Sequence, residues 1–217
     1  MAESTRQQYQ KRQAPPQDTP QWSSESKLRE LLEGKRKEIE HLITPWLGTD
    51  RLIELTILQF AVNQQLQHCT GWSILAAVYR AARAGLAPGT KEANFTPFKR
   101  RDKDGNVRYV ECQFIEQYQG VLFALYRTNK VERAFAEVVY ERDFFDLDYG
   151  RESQVLMHKP TRKDRGNPEG AYGYVLLKGA RVPIIHYMDL VDIDRAKRRS
   201  QGGEQSGWLS DPTEMMR

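Results

Sequence analysis

Cysteine is scarce in this sequence, which holds only Cys69 and Cys112 among 217 residues. Two cysteines are too few for a disulfide framework. Neither lies in a Cys-x-x-Cys pair or at a Cys/His spacing that would hold zinc. We therefore predict two reduced, semi-buried thiols and no structural metal site.

Long hydrophobic runs are also missing. Hydrophobic residues make up 39% of the chain, which is enough for a core, but no apolar run approaches the roughly 20 residues that a bilayer span needs. The first ten residues, MAESTRQQYQ, lack the apolar region of a signal peptide. We predict a cytoplasmic protein that does not contact a membrane.

Motifs for ATP binding and for sequence-specific DNA reading are absent as well. The sequence has no GxxxxGK stretch followed by Ser or Thr, so it offers no phosphate-cradling ATP site. It shows no helix-turn-helix pair with a basic recognition helix, which disfavours a transcription factor. We predict no cofactor.

Positive charge is concentrated in three short segments. Lys and Arg number 33 against 29 Asp and Glu, for a net charge of +4, and this balance alone indicates little. The basic segments are Lys99–Arg101, Lys159–Arg165 and Arg195–Arg199. One such segment is typical of a solvated surface, whereas three beside chain reversals favour a basic groove.

The chain divides by composition into a tail and a folded part. Residues 1–25 are rich in Gln, Pro and Ser, which is typical of a disordered tail. Residues 26–217 are long enough for one fair-sized domain. Helical spacing predicts a first helix from Ser24 or Ser26 to near Pro45, and a second helix capped by Thr49 or Asp50.

Further along the chain, helical and extended patterns alternate. Trp72–Ala84 reads as a helix that ends at Gly85. Asp104-Gly105 between two extended runs predicts a hairpin. The remaining predicted elements are a helix at Gln117–Arg127, strands at Val131–Tyr140, Phe144–Tyr149 and Gln154–His158, a hairpin of Ala171–Leu177 with Val182–Tyr187, and a helix from Asp189 to about Arg199.

The stretch from Glu111 to Asp143 combines an apolar stripe with outward amides and cations. The stripe Val121, Leu122, Leu125 and Tyr126 follows helical spacing and is predicted to be buried. The outward side chains are Gln113, Gln117, Gln119, Arg127, Lys130 and Arg133. Amides, a phenol and cations suit a polyanion that carries flat bases, since stacking and charge bind single strands without sequence preference.

Two alternatives remain open from the residues alone. Asp143, Asp146 and Asp148 are spaced as carboxylates of a metal-dependent nuclease would be, with Glu111 and Glu116 nearby in sequence; aspartates at turns also cap backbone amides. In a second alternative, the protein is a structural oligomer whose basic loops contact only neighbouring subunits.

An ordered series of motifs over roughly residues 45–217 resembles the RecT branch of the RecT/Redβ family of phage single-strand annealing proteins. The motifs, in chain order, are Gly85-Leu86-Ala87-Pro88, Ala93–Phe98, Glu111–Ile115 with Tyr118-Gln119-Gly120, Val138–Asp143, His158-Lys159-Pro160, Gly170-Ala171-Tyr172, Met188-Asp189, Arg195–Ser200, and Trp208 with Asp211, Glu214 and Met215.

This resemblance implies an α+β annealing fold in which a small antiparallel sheet, built from hairpins, packs with helices. It also implies a homo-oligomer, either a ring or a helical filament, in the cytoplasm of a bacterial or phage-infected cell. The implied activity is binding of single-stranded DNA and annealed duplex, with ATP-independent annealing and strand invasion. The implied partners are a 5′→3′ exonuclease and the host single-strand binding protein.

The side chains expected to contact DNA are mainly cations, accompanied by amides and one phenol. They are Lys99, Arg100, Arg101, Gln113, Tyr118, Gln119, Arg127, Lys159, Arg165, Arg195, Lys197, Arg198 and Arg199. No catalytic residue is predicted. The resemblance implies that family members continue past Arg217 into a Lys/Arg-rich helix and a C-terminal region. The helix start at Asp211-Pro212, close to Arg217, leads us to expect that this chain lacks that region.

Overall fold

The computed structural model describes residues 25–153, 155–199 and 212–216. Helices and small antiparallel sheets confirm the predicted α+β class. The chain divides into two compact units, Met1–Ile115 and Glu116–Arg217, called here the first and second unit. A single domain over residues 26–217 stays a prediction, and the predicted tail lies outside the described residues apart from residue 25. Within the described ranges, no helix combines the length and apolarity needed to cross a bilayer.

The first unit begins with helices that share one apolar core. They are α1 (Glu25–Gly34), α2 (Arg36–Leu42), α3 (Thr49–Val62), a 3₁₀ helix (Gln64–His68) and α4 (Gly71–Ala84). Their fully buried side chains include Leu28, Leu32, Ile39, Leu52, Ile53, Leu66, Ile74 and Val78. Both cysteines join this core and are buried rather than semi-buried.

The predicted first helix, running to near Pro45, is two helices in the structure. The break falls at Lys35, which has φ −108° and ψ 8°, and its amide donates to the Leu32 carbonyl at 3.1 Å. Gly34 precedes the break, and glycine costs a helix about 1 kcal/mol relative to alanine. Trp46 lies beyond both helices with 59% of its surface exposed.

The predicted cap of the second helix is also corrected. Gly48, with φ 74°, takes the N-cap position of α3, and no side chain caps it. Asp50 instead accepts a hydrogen bond from Arg36 at 2.7 Å. The aspartate therefore ties α3 to α2 from the first turn of α3.

The end of α4 at Gly85 confirms the prediction made from the sequence. Gly85 has φ 64°, and its amide donates to the Ala81 and Ala82 carbonyls at 2.9 and 3.2 Å. The Leu86 amide also reaches the Ala81 carbonyl. A left-handed residue is needed here, and glycine adopts that conformation without steric cost.

We expect Gly85→Ala to destabilise the protein by about 1–3 kcal/mol. A Cβ at this left-handed position would lie 2.2 Å from the Thr44 Oγ1. The matched control is Gly34→Ala, where a Cβ meets nothing within 4 Å and helix propensity favours alanine. Urea unfolding of both variants checks the prediction, and equal midpoints for the two would contradict it.

The first unit ends in a two-stranded hairpin of β1 (Ala93–Arg101) and β2 (Val107–Glu116). The turn is the predicted one: Gly105 has φ 84°, and the Asp102 carboxylate accepts from the amides of Asp104 and Asn106. Phe95, Cys112 and Phe114 point from the strands into the helical core. The opposite face of the hairpin is left for polar and aromatic side chains.

The second unit is built around the antiparallel sheet β3-β6-β7. Its elements are α5 (Tyr118–Arg127), β3 (Val131–Tyr140), β4 (Phe144–Leu147), β5 (Leu156–Lys159), β6 (Pro168–Leu177), β7 (Ile184–Asp189), α6 (Leu190–Arg199) and α7 (Pro212–Met216). Strands β4 and β5 pair as a separate hairpin. Val138, Ala171 and Ile193 form a small core between the sheet and α6. The Asp189 carboxylate caps α6 by accepting from the Asp192 amide, as predicted.

The apolar stripe predicted to be buried on α5 is largely exposed. Val121 and Tyr126 are 43% and 44% exposed, and Leu122 and Leu125 are only half-buried. Hydrogen bonds attach this helix to the sheet, because tyrosine hydroxyls of α5 bond to the backbone of β3. A period-3.6 apolar pattern predicts a buried face only where a helix is held by packing.

Candidate nucleic-acid interface

The outer face of the β1–β2 hairpin is organised around the Glu111 carboxylate. Arg100 donates to it from Nε and Nη2, each at 2.5 Å, and Gln113 Nε2 donates to the same oxygen at 3.1 Å. The structure therefore brings Arg100 and Gln113 together, as polar groups held in fixed positions. The charge of Arg100 is balanced by the glutamate.

The basic run Lys99–Arg101 does not form one patch. Successive side chains of a strand point to opposite faces, so Lys99 and Arg101 lie on the face opposite Arg100. Both are exposed, and Arg101 Nη1 donates to the Gly105 carbonyl at 2.7 Å, across the turn. Lys99 and Arg101 therefore lie exposed near the turn of the hairpin.

Helix α5 carries Tyr118, Gln119 and Arg127. The Tyr118 hydroxyl accepts from the Ala136 amide at 2.8 Å, so this phenol anchors the helix. Gln119 is exposed. Arg127 lies over the exposed Phe123 ring, with its Cζ 6.0 Å from the ring centroid.

Lys159, at the end of β5, lies over a second exposed ring. Its Nζ is 5.6 Å from the centroid of Phe144, which is 54% exposed and faces Lys159 directly in the β4–β5 register. Neither Phe123 nor Phe144 was among the side chains predicted from the sequence to contact DNA. The i, i+4 spacing of Phe123 and Arg127 could have indicated the first pair. The second pair depends on the register of β4 and β5, which is known only once the two strands are aligned.

Arg165 forms a buried ion pair with Asp143. Its Nε donates to Asp143 Oδ1 at 3.0 Å and its Nη2 to Oδ2 at 2.5 Å, while the Asp143 side chain is fully buried. The guanidinium also lies over the Tyr140 ring at 4.1 Å. The hydrogen bonds from Arg165 hold the pKa of Asp143 well below its usual range, and the Thr161 amide and His158 add to this effect. The pairing gives Arg165 a structural role.

His158 completes this cluster. Its Nε2 lies 3.1 Å from Asp143 Oδ2 and its Nδ1 lies 3.0 Å from the Tyr172 hydroxyl. Burial raises the pKa of Tyr172 to about 12, so the hydroxyl stays protonated and can donate to Nδ1 while Nε2–H donates to the carboxylate. The histidine therefore connects Asp143, which precedes β4, to Tyr172 on β6.

Side chains cover the outer edge of β3, an end strand of its sheet. The Tyr126 hydroxyl bonds to the amide and carbonyl of Ala134, and Tyr118 takes the next outward amide along the strand. Arg165 Nη2 donates to the Val138 carbonyl at 3.1 Å. Side chains that satisfy an edge in this way block pairing with another strand, so Tyr118 and Arg165 both stabilise this edge.

The cations of α6 form a separate cluster along one helix. Arg195 pairs with Asp192 at 2.9 Å and Arg198 with Asp194 at 2.6 Å, and the two arginine side chains are 65% and 80% exposed. Lys197 and Arg199 are also exposed. Exposed ion pairs contribute only about 0–1 kcal/mol, so a phosphate can displace these aspartates at little cost.

The aspartates considered for a nuclease are held in ion pairs. Asp146 and Asp148 both pair with Arg151, at 2.5 and 3.3 Å, and Asp143 pairs with Arg165. In the described ranges, no three His, Cys, Asp or Glu side chains come together in a way that could hold a metal ion. These carboxylates balance arginine charge in the second unit.

Comparison with known proteins places these residues in a family. The model of the RecT family matches residues 51–217. This chain belongs to the RecT family. It is similar to Protein RecT of Escherichia coli strain K12, with 23% identity over 171 residues, which cover 78% of this chain and 62% of the relative. The chain thus spans less than two thirds of that relative's length.

The RecT match confirms the extent of the resemblance seen in the sequence. Every predicted DNA-contacting residue, from Lys99 to Arg199, falls inside the matched region, whereas α1 and α2 lie before it. The helices from α3 onward, the hairpins and the sheet therefore constitute the RecT-like part of the described chain. DNA contact by the individual residues stays a prediction.

Proposed function

We propose that this RecT-family chain binds single-stranded DNA and anneals complementary strands during homologous recombination, without ATP and without breaking covalent bonds. The observation that carries the proposal is the family match over residues 51–217. The exposed cations on the β1–β2 hairpin, β5 and α6 support it, since a phosphate backbone needs accessible Lys and Arg.

Base pairing itself supplies the driving force for such a reaction. Stacking is worth about 1.4 kcal/mol per step in a DNA duplex, so matched strands need no nucleotide hydrolysis. The protein has to reduce the repulsion between two polyanions while it leaves the base edges free to pair. Cations on loops and on a helix end can do this without a reacting centre.

We assign different roles to the predicted residues. Exposed cations contact phosphates; they are Lys99, Arg101, Lys159, Arg195, Lys197, Arg198 and Arg199. Arg100 and Gln113 present fixed donors around Glu111, and Gln119 and Arg127 contribute from α5. Tyr118 and Arg165 act mainly by holding the β3 edge, on which α5 and the loop before β6 depend.

The assembly, the location and the partners that we propose are taken from the family. We propose that the chain works as a homo-oligomer on DNA, in a ring or a filament, within the cytoplasm of a bacterial or phage-infected cell. Its partners would be a 5′→3′ exonuclease that exposes single strands and the host protein that coats them. No cofactor is part of the proposal.

An annealing assay tests this function. Two complementary labelled oligonucleotides, mixed with the protein in ATP-free buffer, are expected to pair faster than they do alone, and non-complementary oligonucleotides should stay separate. Mg²⁺ is included in one arm, and the DNA is expected to stay intact there. Unaccelerated pairing would contradict the proposal, and degraded DNA would favour the nuclease alternative.

A further inference from the structure

We propose that Trp72 and Tyr109 form a stacking platform for the bases of single-stranded DNA. The two rings meet edge-on, with their centroids 6.0 Å apart and their planes at 60°. Trp72 is 42% exposed and Tyr109 is half-buried. This inference rests on the proposed function and adds that this surface recognises the bases of the nucleotides.

The backbone around Trp72 is fixed on both sides of the residue. The Thr70 amide donates to the Val110 carbonyl at 3.0 Å, and the Ser73 hydroxyl accepts from the Cys112 amide at 2.9 Å. The side chains of Thr70 and Ser73 are buried. The start of α4 is therefore clamped to β2, so the backbone that carries the indole is fixed before binding.

Polar groups suited to a nucleotide lie on the same face of β2 as Tyr109. Tyr109 shares the outer face of β2 with Glu111 and Gln113, because side chains alternate along a strand, and the Arg100–Glu111 pair lies on the same face. Rings that stack on bases beside amides and cations are the combination that binds single strands without reading their sequence.

Core packing does not account for the position of the indole. The buried residues of α4 are Gly71, Ser73, Ile74, Ala77, Val78, Ala81 and Ala82, so Trp72 stands off the face that packs into the core. Its described ring partner is a tyrosine on the same exposed side. Two adjacent aromatic rings on a polar face indicate a site for flat ligands.

Binding to normal and abasic oligonucleotides of equal length separates base stacking from phosphate contact. Trp72→Ala is expected to weaken binding of an oligo-dT strand roughly tenfold, equivalent to about 1.4 kcal/mol. Its affinity for the abasic strand should equal that of the unaltered chain. Trp46→Ala is the matched control, since that tryptophan is also exposed in the first unit, and it should change neither affinity.

Trp72→Phe keeps a ring and should retain most of the oligo-dT affinity, and circular dichroism of both variants reports on the fold. Equal losses on normal and abasic strands, or a Trp72→Ala affinity matching that of Trp46→Ala, would overturn the platform and leave the proposed function standing. If the unaltered chain bound neither strand, the proposed function itself would fail.

Discussion

Replacing Arg165 with alanine is expected to destabilise the second unit by about 3 kcal/mol. The substitution leaves the Asp143 carboxylate fully buried without its cation, and breaking a buried pair on one side costs about 3–5 kcal/mol. We take the lower end because the Arg165 side chain is itself 30% exposed. The loss of the hydrogen bond to the Val138 carbonyl acts in the same direction. Urea unfolding followed by circular dichroism measures the effect.

Arg142→Ala provides a matched control in the same unit. Arg142 pairs with Asp164, but the two side chains are 58% and 72% exposed, and exposed pairs contribute about 0–1 kcal/mol. Its unfolding midpoint should stay close to that of the unaltered chain. If the two arginine variants lost the same small amount of stability, the Asp143 cluster would not be holding the second unit together.

The same cluster predicts how stability changes in acid. The pKa of Asp143 is lower in the folded than in the unfolded protein, so its contribution is fully present above the unfolded pKa of about 3.9. This contribution is lost as pH falls below that value toward the folded pKa. Asp143→Asn should therefore lower stability at pH 7 and flatten its decline below about pH 4.

Removing three cations from the end of α6 is expected to weaken single-strand binding at least tenfold at about 50 mM salt. The change is Lys197→Ala with Arg198→Ala and Arg199→Ala, all at exposed positions. Fewer counterions are released from the DNA when phosphate contacts are lost. The affinity and its salt dependence therefore fall together. Fluorescence anisotropy with a labelled oligonucleotide measures both quantities.

A second triple variant controls for net charge. Lys37→Ala with Arg51→Ala and Arg83→Ala removes one lysine and two arginines from exposed positions on the helices of the first unit, and none of the three is a predicted DNA contact. The net charge falls equally in the two proteins, so non-specific attraction is matched. Equal losses of affinity in the two variants would mean that α6 has no particular role.

Features determined by neighbouring residues were predictable from the sequence. The end of α4 at Gly85, the Asp-Gly hairpin, the bounds of β3 and the Asp189 cap of α6 all depend on short-range patterns, and the structure confirms them. The break at Lys35 was missed because a single glycine does not interrupt the apolar spacing of α1 and α2.

Features that depend on distant partners could not be predicted. Arg165 was grouped with Lys159 by charge alone, yet its partner Asp143 lies 22 residues away and gives it a structural role. The stripe on α5 was predicted to be buried because its spacing is helical, but tyrosine hydroxyls, not apolar contacts, attach α5 to β3. The pairing of Trp72 with Tyr109 likewise joins a helix to a strand beyond the reach of any local pattern.

The salt dependence of single-strand binding tests most directly whether exposed cations hold the phosphate backbone. Seven predicted cations are exposed, namely Lys99, Arg101, Lys159, Arg195, Lys197, Arg198 and Arg199. If each cation neutralises one phosphate, a plot of the logarithm of the binding constant against the logarithm of salt concentration should have a slope of about −5. After the three α6 substitutions the slope should be about −3. A slope near zero in the unaltered chain would contradict the account.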